Sequence, residues 1–320
     1  MIRQVANGVV SAEPNACYCV QSRSTKRGQR IYIVKDGAAK LCWDRPGSKS
    51  NPYQIWTRDD LKKVKKDPAG YYLLMKDIAI PTGNTECLPV LWEAPFTGVF
   101  DGQGHKIYSQ NYQTGTTVDM TGKTVKDTDP GSTYGRTLSC GLFGVNMGII
   151  TRLDLRDLHL FFPQTTARYG MVVGSNRGII DQIKSRSAYR ISNEKTPQSG
   201  GVTAMNTGTV QYCINDGNGG FDYNYFLGCA GGITYYNWGQ MENCAVSQNT
   251  PASGVTGNYG CLTYYHFPGS KIKDCCYTAA NAQAKAVFDD GGTGGGEQIN
   301  VKKVINQTFF PRVDFATIIY

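Results

Sequence analysis

The sequence predicts an all-β chain built as a single-stranded parallel β-helix, and three observations carry that expectation. The segment Gly144-Val145-Asn146-Met147-Gly148-Ile149-Ile150 recurs as Gly174–Ile180, Ala204–Val210 and Tyr235–Met241, with its asparagine at 146, 176, 206 and 237. A fixed period of about 30 residues marks an array in which each unit covers the apolar face of the next. Apolar residues hold a constant phase to that asparagine: Ile150, Ile180, Val210 and Met241, then Leu153, Ile183, Cys213 and Cys244. The units are also glycine-rich and lack long helical apolar patterns, which favours strands and turns over a helical solenoid.

The elements follow in chain order. Residues 1–50 form a small β element of their own, because Ile31–Val34 and Ala39–Trp43 flank Asp36-Gly37, a strong hairpin signal. Two readings stay open for it, an attachment module or an irregular extension on the first coil. Arg45–Pro52 is the best linker, so the solenoid domain is residues 51–320. Thr57 and Asp60 form a variant capping box, Asp59 and Asp60 suit the positive helix start, and Asp67-Pro68 stops the helix. That short helix is the expected cap over the open N-terminal end of the stack. The run Lys62-Lys63-Val64-Lys65-Lys66 is its solvated last turn and not a binding patch.

Each repeat then needs a tight turn. Gly148, Gly178, Gly208 and Gly239 sit where that turn is expected to require positive φ. Asn146, Asn176, Asn206 and Asn237 are expected to stack coil above coil as an amide ladder. A degenerate fifth unit follows at Tyr264–Gly269, with Ile272 and Cys275, as befits a terminal repeat. At ~4.8 Å per coil, roughly eight coils between Tyr71 and Phe310 would make a rod ~40 Å long. Two excursions interrupt the pattern, Tyr112–Thr137 and Gly217–Phe226. Long loops in compact domains are functional or disordered, and these mix glycine with polar and aromatic residues. The candidate binding residues are therefore Tyr112, Asp127, Asp129 and Tyr134 in the first and Phe221, Tyr223 and Tyr225 in the second. Tyr235, Tyr236, Trp238, Tyr264 and Tyr265 share related phases, and a stack of them would suit a sugar platform.

The motif Cys140-Gly141-Leu142-Phe143-Gly144-Val145-Asn146-Met147-Gly148-Ile149-Ile150 resembles the GLUG repeat, named for its Gly-Leu-x-Gly opening. Phe96–Ile107 resembles the first full coil of right-handed β-helices with pectate-lyase-like architecture, and Ile55–Leu61 with Tyr71–Ile78 their capping helix and first strand. The likeness spans roughly residues 54–276. It implies a right-handed coil and a place among bacterial surface, secreted and phage-encoded proteins. It implies a fold strongly and a function weakly.

Charge and cysteine usage narrow the setting. The net charge of +8 comes from scattered basic residues and fits solubility, with an anionic partner as the sharper reading. Met1–Val20 has no apolar run of signal-peptide length, and no stretch approaches a membrane-spanning helix. The eleven cysteines include no pair at zinc spacing, and an odd number leaves at least one without a partner in the chain. Cys213, Cys244 and Cys275 fall in the inward slot, as small buried hydrophobes. A chain this rich in unpaired thiols implies assembly in a reducing cytoplasm.

Catalytic signatures are thin. The chain has three histidines: His105 in a coil motif, His159 in the alternating strand Leu153–Leu160, and His266 in the degenerate repeat. No nucleophile elbow occurs, and no acids recur in phase to build a calcium site. The expectation is a chain with no catalytic residues, no metal and no cofactor. It is a structural or receptor-binding component of a virion or appendage, such as a phage fibre, spike or decoration protein. The expected partners are other virion or appendage proteins, a cell-surface glycan and further copies in a homo-oligomer such as a trimer, with no specific nucleic acid. The rivals are a bacterial cell-surface adhesin and a polysaccharide lyase or hydrolase acting on capsular glycan.

Overall fold

A computed structural model describes residues 3–4, 17–21, 29–35, 38–43, 46–80, 94–109, 118–119, 125–126, 138–162, 167–191, 198–215, 230–246, 259–279, 285–289 and 296–305. The chain is all-β, a parallel solenoid in which each coil hydrogen-bonds to the next. A coil has three parts. An opening strand, such as Leu138–Cys140, turns at Gly141-Leu142 into a middle strand, Phe143–Asn146. A second turn at Met147-Gly148 leads into a long strand, Ile149–Phe162, that bends partway along. The next coils repeat the order as Ala167–Gly170, Val173–Asn176 and Ile179–Ile191, then as Gln198–Gly200, Thr203–Asn206 and Thr209–Gln211.

The middle strands stack in strict parallel register. Asn146 pairs with Asn176, Asn176 with Asn206, Asn206 with Asn237, and Asn237 with His266. Parallel sheets bury both faces, and every residue of the middle strands Phe143–Asn146, Val173–Asn176, Thr203–Asn206 and Thr234–Asn237 is buried. Ile150, Ile180, Val210, Met241 and Ile272 line the core, as do Leu153, Ile183, Cys213, Cys244 and Cys275. Among the described residues, the coils starting at Leu138, Ala167, Gln198 and Ala230 carry all three parts and the asparagine. Further strands extend the long sheet on both sides, from Tyr53–Ile55 to Glu297–Ile299. The complete coils are thus fewer than the eight anticipated, and the remainder are partial.

The repeat glycines play a different part from the one expected. Gly148, Gly178, Gly208 and Gly239 are absent from the positive-φ positions. A Cβ on Gly178 would instead lie 2.1 Å from the Gly148 carbonyl oxygen, and Gly208 and Gly239 repeat that contact on Gly178 and Gly208. Coil spacing, not turn handedness, excludes a side chain there. The left-handed residue lies at the bend of the long strand: Arg152, Gln182, Tyr212, Asn243, Asp274 and Asn300, each with φ near +52°. Asparagine and aspartate tolerate that region best.

The N-terminal end is capped as the sequence predicts. Thr57 Oγ1 accepts from the Asp60 amide at 3.2 Å, and Asp60 Oδ2 accepts from the Thr57 amide at 2.9 Å. The first turn, Arg58–Lys62, is a 3-10 helix, followed by one α turn, Lys63–Lys66, and it buries Leu61 and Val64. The linker is docked: the Tyr71 amide donates to the Gly47 carbonyl at 2.9 Å, and the Gly47 amide donates to the Asn51 carbonyl at 2.8 Å. Before it, Gln29–Lys35 and Ala38–Trp43 pair antiparallel within a separate four-stranded sheet. Along Ile149–Phe162 the alternation expected for Leu153–Leu160 slips. Leu153, Leu155 and Leu158 are all buried, because a register shift falls between Arg156 and His159.

Candidate functional site

The asparagine column is a continuous hydrogen-bonded ladder. Asn146 Nδ2 donates to Asn176 Oδ1 at 2.8 Å, Asn176 to Asn206 at 2.9 Å, and Asn206 to Asn237 at 2.8 Å. The second proton of each amide goes to a carbonyl of the following coil, at Ile179, Thr209 and Gln240. These buried side chains are satisfied within the stack and offer nothing to a ligand.

The aromatic residues form a second core, separate from the main one. Tyr235 stacks on Tyr264 with centroids 4.8 Å apart, Tyr236 on Tyr265 at 5.3 Å, and Trp238 on Phe267 at 4.0 Å. Tyr235, Tyr236, Tyr264 and Phe267 are buried, and Gln198 Nε2 donates to the Tyr236 hydroxyl at 2.9 Å. A sugar stacks on a ring face, whereas these rings lie face to face along the solenoid axis. The ladder is a structural element and not the sugar platform that its phases had indicated.

Several acids on the long strands are internal to the stack, among them Asp101, Asp154 and Asp181. Asp181 is fully buried and accepts from Thr151 Oγ1 at 3.0 Å, Gln182 Nε2 at 3.1 Å and Gln211 Nε2 at 3.1 Å. Asp101 is paired with Arg152 across the bend. Asp154 lies in register between Lys106 and Lys184 and accepts from Arg156 Nε at 2.9 Å. Burial raises the Asp154 carboxyl above its ordinary range, while Arg156, Lys184 and Lys106 oppose that rise. His105 Nδ1 lies 3.2 Å from Asp77 Oδ1, whose other contact is the Lys106 amide at 3.0 Å, a brace between coils. Among the described residues no cluster of histidine, cysteine, aspartate and glutamate could hold a metal, and no helix is long and apolar enough to cross a membrane.

What remains is the edge at which one coil passes to the next. Five stretches between coils run from the end of a second arm to the next opening strand. The stretches after Ser109, Phe162, Ile191, Asn215 and Val246 return at Leu138, Ala167, Gln198, Ala230 and Tyr259. Their return points stand in a row, because the opening strands are in parallel register, while the arms ending at Phe162 and Ile191 run on past the positions that pair with Asn215 and Val246. They differ in length from 163–166 to 110–137. The longest touches both flanks of the edge. Val118–Asp119 pairs with Leu160 and Phe161, and Val125–Lys126 pairs with Ser139 and Leu138. Tyr112, Asp127, Asp129, Tyr134, Phe221, Tyr223 and Tyr225 lie outside the described residues, but both excursions return at this one edge. That common edge is not legible from the repeat, since period alone does not say which corner an insertion occupies.

No family model and no curated protein matches the chain. Among solved structures, an IgA1 protease is similar at 13% identity with a TM-score of 0.47, over 90% of this chain and 23% of that one. The chain spans under a quarter of that protein's length, and a likeness this distant transfers no activity.

Proposed function

We propose that the chain is a non-catalytic recognition rod, a component of a virion or appendage that contacts a host surface or an assembly partner. The carrying observation is the single edge to which the stretches after Ser109, Phe162, Ile191, Asn215 and Val246 return. A solenoid whose asparagine column is hydrogen-bonded from coil to coil is a rigid ruler, and loops of different length set along one edge of it form a contact surface. The reading includes membership of the GLUG-repeat group of right-handed β-helices, supported by the Asn ladder and the Gly141-Leu142 turn. A cell-surface glycan is the partner the tyrosines and acids of the excursions would suit.

The test is removal of Gly115–Gly131, with the ends joined by a short Gly-Ser linker, and binding to an array of bacterial surface polysaccharides and to whole cells. The variant is expected to keep its far-UV spectrum and lose attachment. Unchanged attachment would move the site elsewhere. Release of reducing ends or unsaturated sugar from a capsular polysaccharide by the intact chain would replace the binder with an enzyme.

A further inference from the structure

At the bend of the long strands one residue is out of keeping with its place. Gln182, Tyr212 and Asn243 occupy equivalent positions there in three successive coils, each left-handed with φ of 52° or 53°. Asparagine takes that conformation readily, whereas tyrosine adopts it only with strain. The Tyr212 ring belongs to neither hydrophobic core, and 46% of the residue is exposed. Among the described residues the ring makes no aromatic contact and the phenol no hydrogen bond. A strained residue holding an unpacked ring outward is the kind that gathers where a ligand is gripped.

The amides beside that ring are set in advance. Asp181, fully buried, accepts from Gln182 Nε2 and from Gln211 Nε2, each at 3.1 Å. Holding both amide nitrogens on one carboxylate fixes the flip of each side chain and turns the two carbonyl oxygens away from it. Gln182 is 4% exposed, and among the described residues its Oε1 is a buried acceptor with no donor. Gln211 is half-buried, as is Asn243 in the following coil, whose amide both donates and accepts. From Gln182 to Asn243 the strip covers two coil steps, ~10 Å. Charged side chains next to it are matched to one another, Arg152 with Asp101 and Lys273 with Glu242.

We propose that Gln182, Gln211, Tyr212 and Asn243 form a binding site for one neutral sugar unit of a polysaccharide. The apolar C–H face of a hexose lies on the Tyr212 ring, and a few placed polar groups fix its orientation. Gln211, nearer the surface, accepts from one hydroxyl, and Gln182 Oε1, at the floor of the site, accepts from another. That second bond supplies the donor that a buried carbonyl oxygen requires. Asn243 exchanges a hydrogen bond with a hydroxyl on the far side of the ring. Asp181 touches no sugar and is a positioning residue, keeping both glutamine amides turned toward the ligand. An acidic sugar would set its carboxylate against two carbonyl oxygens and over the Asp181 carboxylate, so the site selects a neutral unit. The site lies on the bend and not on the edge where the excursions return, and it stands apart from their role.

The test measures binding of the full-length chain to immobilised dextran, galactan and mannan, with polygalacturonate as the acidic comparison. At least one neutral polymer is expected to bind. Tyr212→Asn places there the residue type of the following coil and relieves the strained bend, so the variant stays folded. It is expected to weaken that binding by about tenfold or more, the scale of one lost aromatic anchor. Tyr212→Phe keeps the ring and is expected to retain binding. The chain lacking Gly115–Gly131 is expected to bind these polymers as the wild type does, which separates this site from the excursions. The proposal is overturned if no neutral polymer binds, or if Tyr212→Asn binds as well as the wild type. A preference for polygalacturonate that Tyr212→Asn abolishes would overturn the neutral class, and loss of polymer binding in the deletion alone would place the sugar on the excursions.

Discussion

At the scale of single residues, stacking decides what each position tolerates. Asn176 fills three acceptors through its amide, so Asn176→Ala leaves buried groups unsatisfied. The expected loss is ~1–3 kcal/mol in urea unfolding. Gly178→Ala would set a Cβ 2.1 Å from the Gly148 carbonyl oxygen, a backbone atom that cannot swing aside. It is expected to cost more than Asn176→Ala, and a smaller loss would show that the coils can separate. Tyr212 is the opposite case. It holds φ of +52° at the bend with 46% of its surface exposed, where the equivalent positions include Asn243, Asp274 and Asn300. Tyr212→Asn should raise stability by up to about 1 kcal/mol, and a lower unfolding midpoint would contradict the strain. The repeat asparagines were legible in the sequence because their period is visible. The bend was not, because Arg152, Gln182 and Tyr212 share a backbone conformation and no chemistry.

At the scale of elements, the thiol column Cys213, Cys244 and Cys275 is a buried seam. The Cys244 amide donates to Cys275 Sγ at 3.3 Å, and the sulfur of Cys244 lies 3.6 Å from the Val210 carbonyl. Burial pushes the Cys244 thiol well up, while for Cys275 the neighbouring Cys244 is the larger cause and burial the second. Iodoacetamide at pH 8 is expected to leave both untouched in the native chain and to modify both after unfolding without reductant. Alkylation of the folded protein would show the seam to be open. The sign of the pH effect follows. The folded chain holds these protons more tightly than the unfolded one, so their contribution is full below about pH 8.5 and declines above it. The unfolding midpoint should therefore drop on the alkaline side, and replacing Cys244 by valine should reduce that drop. The inward phase of these cysteines was legible, since Leu153 and Ile183 occupy the same slot. The aromatic pairs were legible as a column but not in orientation, because phase does not report whether rings face each other or solvent.

At the scale of the whole molecule, a covered beginning and a row of excursions define the rod. The cap is local, built from Thr57, Asp60, Leu61 and Val64 and tied through the docked Gly47 turn. A chain beginning at Pro46 should keep the melting midpoint of the full chain. A large fall would make the N-terminal sheet part of the same cooperative unit. The solenoid was readable from the four copies in phase. The common edge of the excursions was not, because it depends on which corner of the coil each gap occupies. Only the strand pairings of Leu138, Ala167, Gln198, Ala230 and Tyr259 reveal it.

The one-way direction of the amide column gives the rod unlike ends. Asn176, Asn206 and Asn237 each receive a proton from the coil before, and Asn146, Asn176 and Asn206 each hand one to the coil after. A chain leaving the ribosome makes its coils in the same order. The newest finished turn then always shows an N–H awaiting an oxygen, and the next 30 or so residues bring that oxygen in register. Synthesis and winding can advance together, each turn serving as the template for its successor, until His266 closes the series with a ring nitrogen.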